Sequence, residues 1–145
     1  MTFYILSQRE AVQTAYKFRN NTMAIISITE PDAEDVDFST ALVPDKRILR
    51  LRFDDIDKEI NNHKLFTVQD AKQILNFVQK TIASVDFFVV HCHAGISRSA
   101  GVAAALSKIY NQNDSYIFNC GKYCPNMFVY KTILTEYFSN RKKYL

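Results

Sequence analysis

The sequence predicts an α/β protein, with a central, mostly parallel sheet flanked by helices and a tight loop between a strand and a buried helix. Three observations predict it. Strand-like and helix-like segments alternate along the 145 residues, an order that places a parallel sheet between helical layers. Two strand-like runs, Thr22–Ile28 (TMAIISI) and Asp86–His91 (DFFVVH), are almost unbroken and rich in β-branched or aromatic residues, as in strands buried on both faces. Helix-capping patterns stand between the strands. The length suits one domain spanning residues 1–145 with its own core.

Taken in order, Phe3–Leu6 reads as a short strand. Ser7-Gln-Arg-Glu10 is a capping box, in which the Ser hydroxyl and Glu carboxylate satisfy free amides at a helix start, and a helix follows to about Phe18. After the buried strand Thr22–Ile28 comes the acidic segment Thr29–Phe38 (TEPDAEDVDF), expected to be a solvated loop. Arg47–Phe53 alternates, with Leu49, Leu51 and Phe53 on one side and Arg50 and Arg52 on the other, which predicts an edge strand or one wet face. Thr67-Val-Gln-Asp70 caps a helix whose stripe is Ala71, Ile74, Leu75, Val78 and Ile82. The strand Asp86–His91 runs into a loop, and from Ser99 the chain is apolar on nearly all sides, suiting a central helix. An irregular stretch then leads to Asn126, which caps a last helix carrying Val129, Ile133, Leu134, Tyr137 and Phe138. Arg141-Lys-Lys143 complements that helix's carboxyl end.

A net charge of +3 is too mild to argue for nucleic acid or an anionic membrane. The opening MTFYILSQRE holds no long apolar run, so neither a signal peptide nor a membrane span is expected. Three cysteines, an odd number, fit a reduced, intracellular, cytoplasmic setting. A monomer without metal or cofactor is expected.

The chemistry concentrates in VVHCHAGISRSAG, Val89–Gly101, where a cysteine and an arginine stand six positions apart. With His91 closing the strand and Arg98 opening the helix, residues Cys92 to Ser97 form a tight loop. Such a loop turns its amides, and the positive end of the helix dipole, toward one centre, a cradle for a tetrahedral oxyanion. The backbone of His93, Ala94, Gly95, Ile96 and Ser97 would supply that cradle; Ala94 and Gly95 allow close approach, and Gly95 tolerates positive φ. Cys92 on its floor would be held as a thiolate. Arg98 would bind two phosphate oxygens with its planar fork. Ser99 would donate to the sulfur and make it a better leaving group, while His91 orders the loop. A thiolate nucleophile also needs a carboxyl group to protonate the leaving oxygen. Asp54, Asp55 and Asp57 stand at the end of strand Arg47–Phe53, the side on which ligands of such sheets bind, and one or two of them cap the turn before Glu59 instead.

His91-Cys-His-Ala-Gly-Ile-Ser-Arg-Ser99 resembles the signature loop of the cysteine-based protein tyrosine phosphatases, closest to the compact dual-specificity branch and its small bacterial and viral relatives. The likeness extends over roughly Ala24–Phe138, through RLRFDDI, the helix before the loop strand and Pro125-Asn126. It implies a phosphocysteine intermediate on Cys92, phosphate binding by Arg98 and a general acid in the FDDID stretch. Small bacterial relatives carry the acid one residue before Ile, which favours Asp55. The Trp-Pro-Asp loop of larger tyrosine phosphatases is missing: the chain has no Trp and no Pro beside these aspartates. The implied substrate is a phosphorylated protein, at phosphotyrosine and, through a shallow cleft, phosphoserine and phosphothreonine. RNA 5′-phosphatases and phosphoinositide phosphatases are alternatives within the superfamily, the latter disfavoured because no lysine lies inside the loop. A non-catalytic phosphate-binding module is disfavoured because both Cys92 and Arg98 are kept. Smaller expectations remain. Cys120 and Cys124 are packing residues by default, with zinc or a resolving thiol as weaker readings; His93 faces the cleft rim; and Asn126 touches the loop from behind.

Overall fold

The computed structural model describes all 145 residues. Strands β1 (Phe3–Ser7), β2 (Met23–Thr29), β3 (Ile48–Arg52) and β4 (Phe87–Cys92) form one sheet in the order β1-β4-β2-β3. Every neighbouring pair runs parallel, as expected. Around it lie helices α1 (Gln8–Lys17), α2 (Val68–Thr81), α3 (Arg98–Asn111), α4 (Ser115–Asn119) and α5 (Met127–Ser139).

The two central strands are buried on both faces, and their alternation sorts residues between two cores. Ala24, Ile26 and Ile28 of β2 and Phe88 and Val90 of β4 join a cluster of 28 buried residues with α2, α3 and α5. Met23, Ile25 and Val89 point the other way, into a cluster of 8 with Ala11 and Ala15 of α1. Small residues on α1 let that helix lie close to the sheet. Helix α3 is buried without a break from Arg98 to Ser107, which explains why its sequence has no polar face. β3 is an edge strand, with Leu51 buried and Arg50 and Arg52 half-buried.

Both capping boxes form: Glu10 N donates to Ser7 Oγ at 3.1 Å and Ser7 N to Glu10 Oε1 at 2.9 Å, with the same reciprocal pattern between Thr67 and Asp70. Asn126 caps α5 by accepting from Phe128 N and Val129 N, both at 3.1 Å. Four details differ from the sequence reading. α2 stops at Thr81, and Ile82 belongs to a following 3-10 turn. The stretch before Asn126 contains the short helix α4. Phe138 is exposed, because α5 turns that side away from the sheet. Thr29–Phe38 is not simply a solvated loop. Val36 and Phe38 are buried in the smaller core, Asp35 pairs with Arg50 and Arg52, and Arg52 also donates to the Ala33 carbonyl. The arginines on the outer side of the edge strand thus strap this segment down.

Parallel pairing brings the carboxyl ends of the strands to one rim. Ser7 stands beside Cys92, His91 beside Ser27, and Thr29 beside Arg52. No helix is long and apolar enough to cross a membrane.

Candidate active site

The loop between β4 and α3 folds as its sequence demands. Gly95 has φ +72°, and a Cβ there would lie 2.5 Å from backbone atoms of Leu6 and Ser7, so only glycine fits. The junction of β1 and α1 braces the loop from outside, with Gln8 N donating to His93 O at 3.1 Å. From the opposite side Cys124 N donates to Ile96 O, and Asn126 N to Ser97 O, both at 3.0 Å. Ser97 occupies the N-cap position of α3 but makes no side-chain cap. Its hydroxyl donates instead to Asp55 Oδ1 at 2.8 Å. The first amides of a 14-residue helix are therefore left without a side-chain cap, an arrangement suited to an anion.

Cys92 sits on the floor, 2% exposed. Its sulfur lies 3.1 Å from Ser99 Oγ and accepts from Gly95 N at 3.3 Å. Burial by itself pushes a thiol's pKa up. Here the hydrogen bonds from the Ser99 hydroxyl and amide and the Gly95 amide, with the charge of Arg98, outweigh burial and bring it below the ordinary thiol value.

Arg98 is also buried. Nη1 donates to the carbonyl of Phe53, just past β3, at 3.0 Å, and Nη2 donates to Glu30 Oε1, just past β2, at 2.8 Å. The guanidinium is thereby fixed in orientation by the ends of two strands. Arg98's hydrogen bond in turn holds the Glu30 carboxyl below its usual range. Sequence reading missed Glu30 and treated its segment as a loop. The available signal was its place as the first residue after a strand buried on both faces, at the sheet end where ligands bind.

The three aspartates separate cleanly. Asp54 closes the neck of its loop: Oδ2 accepts from Lys64 N at 2.7 Å, and Asp54 N donates to Lys64 O at 2.8 Å. Asp57 is exposed and lines the same cleft as Asp55 and Ser97. Only Asp55 reaches the loop between β4 and α3, through Ser97, and it accepts a second hydrogen bond from Asn126 Nδ2 at 2.9 Å. Asn126 also donates to Ile56 O at 3.1 Å. Thus Asn126 touches the loop with its backbone, while its side chain caps α5 and grips Asp55. This approach depends on Gly101, a residue the sequence reading passed over: a Cβ there would fall 2.7 Å from Asn126 O. A glycine in a helix interior, where alanine is intrinsically better by about 1 kcal/mol, was the signal for it.

His91 is fully buried, with Nε2 2.6 Å from Ser27 Oγ and Nδ1 3.2 Å from Cys92 O. Burial, reinforced by the charges of Arg50 and Arg98, lowers its pKa to about 4. The neutral ring then donates from Nδ1 to the Cys92 carbonyl and accepts the Ser27 hydroxyl at Nε2. His93, Ala94 and Ile96 are exposed on the rim. Cys120 and Cys124 are free and exposed rather than packed. No group of three or more His, Cys, Asp or Glu side chains comes together to hold a metal.

Several solved phosphatases share this architecture. The chain is similar to the PTP-2 phosphatase of Cydia pomonella, at 19% identity over 93% of this chain and 85% of the other, with a TM-score of 0.67. It is similar to human DUSP28, at 14% identity over 97% and 94%, with a TM-score of 0.65. PTPMT1, solved in complex with PI(5)P, matches at 17% identity over 98% and 94%, with a TM-score of 0.63. No protein-family model matches the sequence, and no curated protein does. At these identities the likeness establishes the fold: the chain has the α/β fold of the tyrosine and dual-specificity phosphatases.

Proposed function

We propose that this protein is a phosphomonoester hydrolase working through a phosphocysteine intermediate, with phosphorylated protein as its substrate. The observation that carries the reading is the setting of Cys92: a buried sulfur, its pKa lowered by the Ser99 hydroxyl and the loop amides, beside an arginine whose fork is already oriented. A sulfur that only packed would not need those donors.

In the first step the Cys92 thiolate attacks phosphorus, an S–P bond forms, and the ester P–O bond breaks. The open amides and Arg98 stabilise the equatorial oxygens as charge shifts. The departing alkoxide or phenoxide takes a proton from Asp55. The two hydrogen bonds to this carboxyl both fall on Oδ1, so Oδ2 is free to carry that proton. In the second step Asp55 accepts a proton from water, the water oxygen attacks phosphorus, and the S–P bond breaks. Ser99 donates to the returning thiolate, and inorganic phosphate leaves. Ser97 and Asn126 hold Asp55 in place, Glu30 and the Phe53 carbonyl hold Arg98, and His91 fixes the Cys92 carbonyl at the base of the loop.

The fold resemblance to phosphatases supports phosphate-ester chemistry. The loop interior, His-Ala-Gly-Ile-Ser, contains no lysine to meet the additional phosphates of an inositol lipid, which supports a protein substrate over the lipid seen with PTPMT1. Hydrolysis of p-nitrophenyl phosphate with EDTA present is the test. Turnover is expected to be abolished in Cys92→Ser and reduced at least ~100-fold in Asp55→Ala with phenyl phosphate, whose leaving group needs protonation. Full activity in Cys92→Ser would refute the mechanism. An unchanged rate in Asp55→Ala, with collapse in Asp57→Ala, would move the acid.

A further inference from the structure

On the Asp55 side of the loop a cleft of about 600 Å³ opens between the segment Asp55–Asp57, Ser97 and the start of α5 at Met127, Phe128 and Lys131. It does not end there. Phe128 and Lys131 also line a second cavity of about 410 Å³, which continues along α5 past Thr132, Thr135 and Glu136 to Ser139, with Val68 on its far wall. The buried Glu136 carboxylate is taken up by hydrogen bonds from Tyr144 and Asn140. Together they make a groove that starts at the proposed acid and follows a 13-residue helix, a length of roughly 20 Å. An extended peptide of about six residues has that span. Lys131, shared by both halves, is exposed and has no carboxylate within ion-pair distance. Met127 and Val68 leave exposed apolar surface beside it, at 41% and 52%.

The geometry points to this groove as the site that reads substrate sequence, with Lys131 selecting a phosphopeptide that carries an acidic side chain close to its phosphorylated residue. The inference rests on the phosphatase reading and gives that site a specificity. Its position decides the occupant: the groove is continuous with the place where the leaving group must emerge, so the chain attached to that group has to cross it. Charge narrows the choice further. A nucleic-acid strand would bring its row of phosphates past the carboxylates of Asp55 and Asp57 at the groove's mouth, whereas a peptide can place one acidic group on Lys131 and none at the mouth. The apolar walls offer contacts that a polypeptide side chain can fill.

The test compares phosphotyrosine peptides identical except for Glu, Ala or Lys at the flanking positions. Binding to the Cys92→Ser protein is read by fluorescence anisotropy at low ionic strength. The Glu peptide is expected to bind about three- to five-fold more tightly than the Lys peptide, the effect of one exposed ion pair. Lys131→Glu in the same background is expected to reverse the order, and Lys131→Met to remove it. Equal affinities for the three peptides, or the same preference in Lys131→Glu, would overturn the assignment. Tighter binding of a 5′-phosphorylated oligoribonucleotide than of every peptide would overturn it too. Turnover of p-nitrophenyl phosphate by the unaltered protein reports separately on the phosphatase reading, since that compound has no chain to lay in the groove.

Discussion

Asn126→Ser separates holding the proposed acid, Asp55, from building the fold. Serine caps a helix about as well as asparagine, so the bonds to Phe128 N and Val129 N have a replacement. It is too short to replace the two donations from Nδ2, to Asp55 Oδ1 at 2.9 Å and to Ile56 O at 3.1 Å. The carboxyl that protonates the leaving group is neutral until it does so, and a hydrogen bond between neutral groups contributes about 0.5–1.5 kcal/mol. Only the donation to Asp55 orients the acid. If that energy is spent on holding the carboxyl in its working position, its loss slows the acid-dependent step by roughly 2- to 13-fold. Ser97 still holds the same oxygen, so the lower half of that range is expected. The assay is kcat for two esters: phenyl phosphate, whose leaving group needs a proton, and p-nitrophenyl phosphate, whose leaving group needs it far less. The phenyl ester should lose at least ~2-fold more than the nitrophenyl ester, while folded stability drops by no more than ~3 kcal/mol. Equal losses on both esters would refute the assignment of Asn126 as the residue that positions Asp55.

Two further outcomes follow from buried contacts. His91 has its pKa lowered to about 4 in the fold, against 6.5 for a free histidine. Above pH 6.5 the ring is neutral in both states and costs nothing; as pH falls from 6.5 toward 4 only the unfolded chain gains the proton, so stability is lost in that window. Between pH 7 and 4.5 the loss attributable to this residue is about 2 kcal/mol. Urea unfolding should therefore show His91→Asn losing about that much less than the unaltered protein over the same interval, and parallel pH dependences would contradict it. Gly101→Ala sets two effects against each other. Helix propensity favours alanine by about 1 kcal/mol, but its Cβ would lie 2.7 Å from Asn126 O and 3.3 Å from Val129 Cβ. Crowding a backbone atom in a packed site costs about 1–3 kcal/mol, so net destabilisation is expected, together with weaker grip on Asp55. A higher melting temperature in Gly101→Ala would show that the approach of Asn126 to α3 is slack.

Much of the site was legible because it is local. Cys92, Gly95, Arg98 and Ser99 lie within eight consecutive residues between a buried strand and a buried helix, and the preferences of glycine and of a helix start are enough to bend that stretch into a cradle. The flanking strands were equally plain, since residues buried on both faces leave an unbroken apolar run whatever packs on them. Three aspartates within four residues are another matter. Their composition and spacing are compatible with several loop shapes, and what separates them is a closed loop neck at Lys64 and the side chain of Asn126.

The sequence by itself determined the order of strands and helices, the parallel sheet and the loop around Cys92, because each depends on periodicity or on backbone preferences within a few residues. Tertiary structure alone decided which groups hold the neighbours of Cys92. Glu30 meets Arg98 across 68 residues, Ser27 meets His91 across 64, and Asn126 meets Asp55 across 71. A single polar side chain carries no periodicity and no local preference that names a partner so far along the chain. Those pairs exist only once the sheet order β1-β4-β2-β3 has brought the strand ends to one rim and α5 has packed against α3.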